Sequence, residues 1–190
     1  MGQATNTYIS VSPQTYVLAA VIMMTMPLKW ITAWVVSALC HECFHILALY
    51  ISGRRINGIC VGAFGARIMT DPLLPSEEIL CGLAGPASGF LLLLFASTFP
   101  RLAICGLLQS VFNLFPVYPL DGSVVLRGLL RNFFSQSRAE RIAQLVETVL
   151  LVLLALFSMI HILMFDMGWG AYLFIGFFFL RLKKRKIPCK

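Results

Sequence analysis

Charge is scarce in this chain. Of its 190 residues only 12% are charged and 59% are hydrophobic, with a mean hydropathy of +0.86. A soluble domain carries roughly 25% charged and 45–50% apolar residues. The balance excludes an ordinary water-soluble globule and predicts an integral membrane protein, a single bundle over residues 1–190. Cysteine is modest: Cys40, Cys43, Cys60, Cys81, Cys105 and Cys189 lack the spacing of a secreted disulfide framework. Most lie in apolar segments and read as buried thiols. Cys40-x-x-Cys43 resembles a redox or metal pair, but on a helix both thiols point away from the face shared by His41 and His45. Lys and Arg are missing before Thr15, so the positive flank of a cleavable signal peptide is not there. Although the net charge is +7, no aromatic–basic interleaving marks a nucleic-acid surface. The positive charges gather at the ends of apolar runs, as membrane topology requires. No internal repeat and no second domain are visible.

What is present is a series of apolar segments. Crossing a bilayer takes roughly 20 such residues in a helix, and the pattern predicts an all-α, polytopic membrane protein with about six spans, at roughly 16–28, 30–51, 79–99, 101–119, 142–165 and 169–180. Residues Met1 to Ser12 read as polar and loose, and the first segment, ended by Pro27, as a thin span or an interfacial helix. Between the second and third segments, Gly53, Gly58, Gly62 and Gly65 punctuate a run containing Ile56, Ile59, Val61, Phe64 and Ile68. In a helix interior each such glycine would cost about 1 kcal/mol. A short glycine-rich β-hairpin or re-entrant loop fits better. It reads either as a plain connection or as a strand edge around Ile59, Val61 and Gly62 that receives an extended substrate.

The third segment contains Ala84-Gly85-Pro86 followed by Ala87, Ser88 and Gly89, small residues that let helices approach closely and that read equally as packing or as part of a site. In the fourth, Pro116 and Pro119 should break the helix near membrane depth and present Asp121 from irregular backbone. Such backbone survives there only when buried in protein or lining a wet cavity. A short amphipathic helix over Ser123 to Phe134 is expected next, then a basic loop with Arg127, Arg131, Arg138 and Arg141. Arg54, Arg55 and Arg67, the arginine loop and the terminal RLKKRK run all fall on one side of a six-span arrangement. The positive-inside rule then predicts a multi-pass protein of the cell membrane with both termini in the cytoplasm.

The second segment carries the chemistry. His41, Glu42 and His45 stand in the order H-E-x-x-H near the middle of Trp30–Ile51, where an acidic side chain costs roughly 2.5–3.5 kcal/mol. Histidines four apart share a helical face and can direct ring nitrogens at one metal ion. Glu42, about 100° round the helix, suits a general base for a metal-activated water. A catalytic zinc needs three protein ligands and an open position. Asp121 is the best third ligand and His161, late in the fifth segment, the alternative. The predicted cofactor is one Zn2+ per chain. A zinc transporter or a structural zinc scaffold would also bury histidines and acids, but a transporter should offer a relay of sites, and here the acids gather at one place.

His41-Glu42-Cys43-Phe44-His45, together with Asn113-Leu114-Phe115-Pro116-Val117-Tyr118-Pro119-Leu120-Asp121-Gly122, resembles the site-2 proteases, intramembrane zinc metalloproteases. Within them it looks most like the six-span, stage IV sporulation FB-type branch. The resemblance implies zinc on His41, His45 and Asp121, water activation by Glu42, and Asn113 near the substrate or the developing oxyanion. It further implies that the glycine loop holds the substrate, a membrane protein or membrane-associated peptide such as a transcription-factor pro-sequence, and that a membrane-embedded inhibitor or regulator restrains the enzyme. Three departures stand out. Phe44 replaces a small residue of many relatives, Gly89 stands where many carry Asn a few residues after Gly-Pro, and the sequence ends at Lys190, ahead of the nucleotide-sensing domain of the sporulation-type relatives.

Overall fold

The computed structural model describes residues 8–11, 15–16, 20, 23–62 and 65–165. Pro27 is extended (φ −62°, ψ 141°) and starts the first long helix, α1, Leu28–Ile51. Its carbonyl accepts from the backbone N–H groups of Trp30 and Ile31 at 2.9 and 3.2 Å. At the other end Gly53 turns left-handed, at φ +66°. That lets Arg54 N–H reach back to the Leu49 carbonyl at 3.0 Å, the closure that stops a helix while satisfying its last carbonyls. Ser37, His41, His45 and Ala48 are among the buried residues of its middle and last turns. Steps of four, four and three residues put them on one stripe.

The predicted hairpin is present: β2 (Ile56–Gly62) pairs antiparallel with β3 (Gly65–Thr70), Ile59 opposite Ile68 and Val61 opposite Ala66. The loose N-terminal stretch is corrected. Tyr8–Val11 forms β1, which pairs parallel with β2, Ile9 opposite Ile59 and Val11 opposite Val61. The sheet order β1-β2-β3 makes β2 the central strand. The all-α expectation therefore becomes a mainly helical chain with a three-stranded sheet.

Helix α2, Pro75–Leu92, continues into a 3-10 turn, Leu93–Phe95. Pro75 suits the first helical position, where no N–H is needed, and the Glu77 carboxylate accepts the Leu74 backbone N–H at 2.8 Å. This helix is the hub, packing against α1, against α3 (Pro100–Asn113) and against α4 (Asp121–Phe133). Helix α5, Gln136–Phe165, lies against α4. The boundaries shift accordingly. The fourth segment is helical only to Asn113, 14 residues, about 21 Å and too short to span alone. Arg127 and Arg131 stand on α4, and Arg138 and Arg141 in the opening turns of α5, so the expected basic loop is mostly helix. Residues 17–19 and 21–22 of the first segment, and the whole of the sixth, fall outside the described residues.

Among the described residues two helices, Leu28–Ile51 and Pro75–Phe95, are long and apolar enough to cross a membrane. Only 28% of each apolar window is buried, unlike a core helix of a soluble protein. Leu108 (65% exposed), Leu145 (65%) and Phe157 (67%) continue the apolar exterior on α3 and α5. Apolar faces on this scale fit lipid rather than water. Among the described residues four Arg–Glu ion pairs tie the elements together: Arg54–Glu77, Arg131–Glu78, Arg127–Glu140 and Arg127–Glu147.

The approach of α2 to α3 depends on Gly89. A Cβ there would lie 2.1 Å from Ser110 Oγ and 2.2 Å from the Gly106 carbonyl oxygen. This accounts for a glycine at position 89. Gly89→Ala is expected to destabilise the bundle by about 1–3 kcal/mol, read as a lowered thermal midpoint in detergent. Leu108→Ala, on the lipid-facing side of α3, should leave the midpoint nearly unchanged.

Candidate metal centre

Because α1 places His41 and His45 one turn apart on its buried stripe, their rings meet edge to face with centroids 4.8 Å apart. The two Nε2 atoms are 3.2 Å apart. His45 Nδ1 lies 2.8 Å from the Cys81 carbonyl oxygen of α2. A carbonyl only accepts, so this bond puts the proton on Nδ1 and leaves a lone pair on Nε2, as in a metal-binding imidazole.

Asp121 reaches the same point from α4. Its Oδ2 is 2.9 Å from His41 Nε2 and 3.3 Å from His45 Nε2. The expectation that irregular backbone presents it is corrected: Asp121 is the first residue of α4, after an extended Leu120 (φ −75°, ψ 156°). The irregular part is the preceding stretch 114–120, whose Val117 carbonyl accepts from Leu120 N–H at 2.9 Å. A helix N-terminus also favours a carboxylate electrostatically. Gly122 permits the tight entry, since a Cβ there would sit 2.1 Å from the Leu114 carbonyl oxygen.

Two observations test whether these residues fit a metal. First, the three donor atoms form a triangle with sides of 2.9, 3.2 and 3.3 Å. Ligands held tetrahedrally at the usual zinc distances of about 2.0–2.2 Å are about 3.3–3.5 Å apart. Second, the space in front of the nitrogens is kept open by a missing side chain. A Cβ on Gly85 of α2 would lie 2.3 Å from His45 Nε2 and 2.6 Å from His41 Nε2. Two imidazoles and one carboxylate are the donor set of a catalytic zinc with three protein ligands, and His41, His45 and Asp121 could hold such an ion.

The other predicted residues are placed as follows. Glu42 is half-buried on α1, next to His41, and so is Phe44. Asn113 is the half-buried last residue of α3, at the start of the stretch leading to Asp121. Ile59, Val61 and Gly62 lie on β2, whose edges are both paired, so the reading of β2 as an open strand edge is corrected. His161 is on α5, 14 residues beyond Glu147, or about 21 Å further along the helix. Glu147 accepts the backbone N–H of Tyr118, so the helix meets the Asp121 approach at that point and His161 is remote from it. Sequence reasoning left Gly85 undecided between packing and site, and missed both the Cys81 carbonyl and Glu147. A carboxylate inside an apolar helix was the available signal for Glu147.

Comparison with known proteins accords with this geometry. Peptidase family M50 matches residues 93–157, a stretch that holds Asn113 and Asp121. A zinc metalloprotease of Methanocaldococcus jannaschii is 26% identical over 161 residues, covering 76% of this chain and 48% of the relative. The chain thus spans about half the length of that curated relative. The solved structure of a site-2 protease from Methanocaldococcus jannaschii superimposes with a TM-score of 0.68 at 20% identity, covering 100% of this chain and 96% of the other. The chain has the fold of that site-2 protease, and its likeness to Peptidase family M50 lies in residues 93–157.

If the gap at Gly85 is what admits the ion, Gly85→Ala should weaken zinc binding by about 10-fold or more. Zinc per chain after dialysis, measured by atomic absorption with helicity followed by circular dichroism, checks this. An alanine variant with the full zinc complement would show that the gap is not required.

Proposed function

We propose that this chain is an intramembrane zinc metalloendopeptidase that hydrolyses a peptide bond in or near a membrane-embedded segment of a protein substrate. The carrying observation is the convergence of His41 Nε2, His45 Nε2 and Asp121 Oδ2 within 3.3 Å of one another inside an apolar helical bundle. Zinc held there would acidify a water and polarise the scissile carbonyl. Glu42 takes the proton released as that water attacks and passes it to the departing amine. Asn113 hydrogen-bonds the substrate near the developing oxyanion. The six-span topology with cytoplasmic termini, a membrane-bound regulator and a transcription-factor pro-sequence as substrate belong to the same proposal. The likeness to the sporulation FB-type branch rests on the sequence motifs alone.

A helical substrate hides its carbonyls, so it must be held extended next to the site. In this reading Ile59, Val61 and Gly62 contribute through the sheet: the substrate strand displaces β1 and pairs with β2 in its place. Proline removes a backbone donor from a ladder and is poorly tolerated in a central strand. Ile59→Pro and Val61→Pro should therefore lose cleavage of a co-expressed membrane substrate while keeping zinc. Unchanged cleavage in both would remove the sheet from the mechanism.

The competing readings, a zinc transporter or a silent scaffold, have no cleavage to lose. Glu42→Gln separates them. The variant should keep its zinc and lose cleavage by about 10²–10⁴-fold, in a co-expression assay with the metal measured on the same preparation. Cleavage that persists at the wild-type rate would exclude Glu42 as the base.

A further inference from the structure

We infer that Glu147 is a positioning residue for the metal centre, a carboxylate on α5 that grips both sides of Asp121. The inference rests on the zinc-peptidase reading above. Glu147 Oε1 accepts the backbone N–H of Tyr118, three residues before Asp121, at 3.0 Å. Its other oxygen, Oε2, lies 3.6 Å from the guanidinium of Arg127, six residues after Asp121. Both side chains are largely covered, 15% exposed for Glu147 and 21% for Arg127. The same guanidinium donates to the Ser123 carbonyl oxygen at 3.3 Å, inside the first turn of α4, and its carbon stands 5.9 Å from the centre of the Tyr118 ring. One α5 side chain therefore joins the irregular approach 114–120, the first turns of α4 and the long helix α5.

The chemistry explains why a carboxylate serves here. The irregular stretch cannot satisfy all its own backbone donors, and an unmet N–H in an apolar setting costs about 1–3 kcal/mol. An ionised acceptor makes roughly the strongest bond available to that donor. A charged group in an apolar segment is itself expensive, and Arg127 supplies the opposite charge that makes Glu147 tolerable there. Glu147 is not a ligand: its two oxygens are committed to Tyr118 and Arg127, and the donor triangle is complete without it. Its effect on the centre passes through the position of Asp121.

The test uses the full-length chain in detergent with two readouts, amide hydrogen exchange over residues 114–121 and zinc retention against chelators of graded strength. Glu147→Gln keeps an acceptor for Tyr118 and loses the charge facing Arg127. Exchange should quicken, and zinc should be lost roughly fivefold more readily, as when a charge-assisted bond gives way to a neutral one. Glu147→Ala should lose zinc by about 10-fold or more. Glu140→Gln removes the other carboxylate partner of Arg127 without touching Tyr118 and should match wild type in both readouts. The proposal is overturned if Glu147→Gln matches wild type in exchange and zinc retention, or if Glu140→Gln loses as much as Glu147→Gln. Should wild type itself hold no zinc, the metallopeptidase reading falls, and exchange over 114–121 still decides whether Glu147 holds that stretch.

Discussion

His41 and His45 point their Nε2 atoms at each other across 3.2 Å, with an Asp121 oxygen completing the triangle. Lone pairs and a carboxylate repel at such distances unless a proton or a cation lies among them. Much of the surrounding structure serves to impose that crowding. The Cys81 carbonyl keeps the His45 lone pair facing inward, and Gly85 keeps the facing surface of α2 bare where a methyl group would touch both rings. Helix α1, which carries both histidines, packs against α2 and cannot move away without breaking that contact. A shared proton or a cation among the three donors settles the arrangement.

The apolar exterior and the polar centre need reconciling, because the proposed hydrolysis needs water at a site enclosed by apolar helices. The 14-residue α3 is one resolution: it stops well short of a bilayer's thickness, and Pro116 and Pro119 then divert the chain. Backbone of that kind survives at depth only in protein or beside water. The ion pairs add a second feature. Arg54–Glu77, Arg131–Glu78 and Arg127 with its two glutamates link the C-terminal end of α1, the N-terminal end of α2, and helices α4 and α5. Pairs of this kind contribute little individually when exposed. Partly covered and shared between helices, they fix which ends meet.

How much of this was legible beforehand depended on whether the signal was local. HExxH on an apolar helix specifies its own geometry, since four residues of helix set the spacing of His41 and His45. The glycine-punctuated hairpin was likewise local, a matter of propensity. The pairing of β1 with β2 was not: a strand of four residues, Tyr8–Val11, meets a partner some fifty positions away, and no periodicity announces that. The proline pair foretold a break in the fourth segment but not its place, since α3 ends at Asn113, three residues before Pro116, and not at 119. It misled about Asp121, because Pro119 does not prevent a helix from starting two residues later with Leu120 extended before it. The importance of Gly85 was invisible for a related reason. A glycine's contribution is the space it leaves, and that has meaning only once the neighbouring helix is in place.

That Asp121 opens a helix changes where adjustment of the site can occur. Helix α4 is fixed against α2 by contacts that leave no slack: a Cβ on Gly82 would fall 2.7 Å from Val125 Cγ2, and one on Gly128 2.9 Å from the Pro75 carbonyl oxygen. The third donor is therefore carried on the stiff side of the junction, and the compliant side is the approach 114–120. A set of donors tolerates little error, since a displacement of a few tenths of an ångström is a large fraction of the tolerance on a zinc–ligand bond. The compliant side must be restrained by something outside it. Among the described residues Glu147 is placed to do so, bonding the approach through Tyr118 and the helix through Arg127 with one carboxylate. Its cost inside an apolar helix is then the cost of holding Asp121 still.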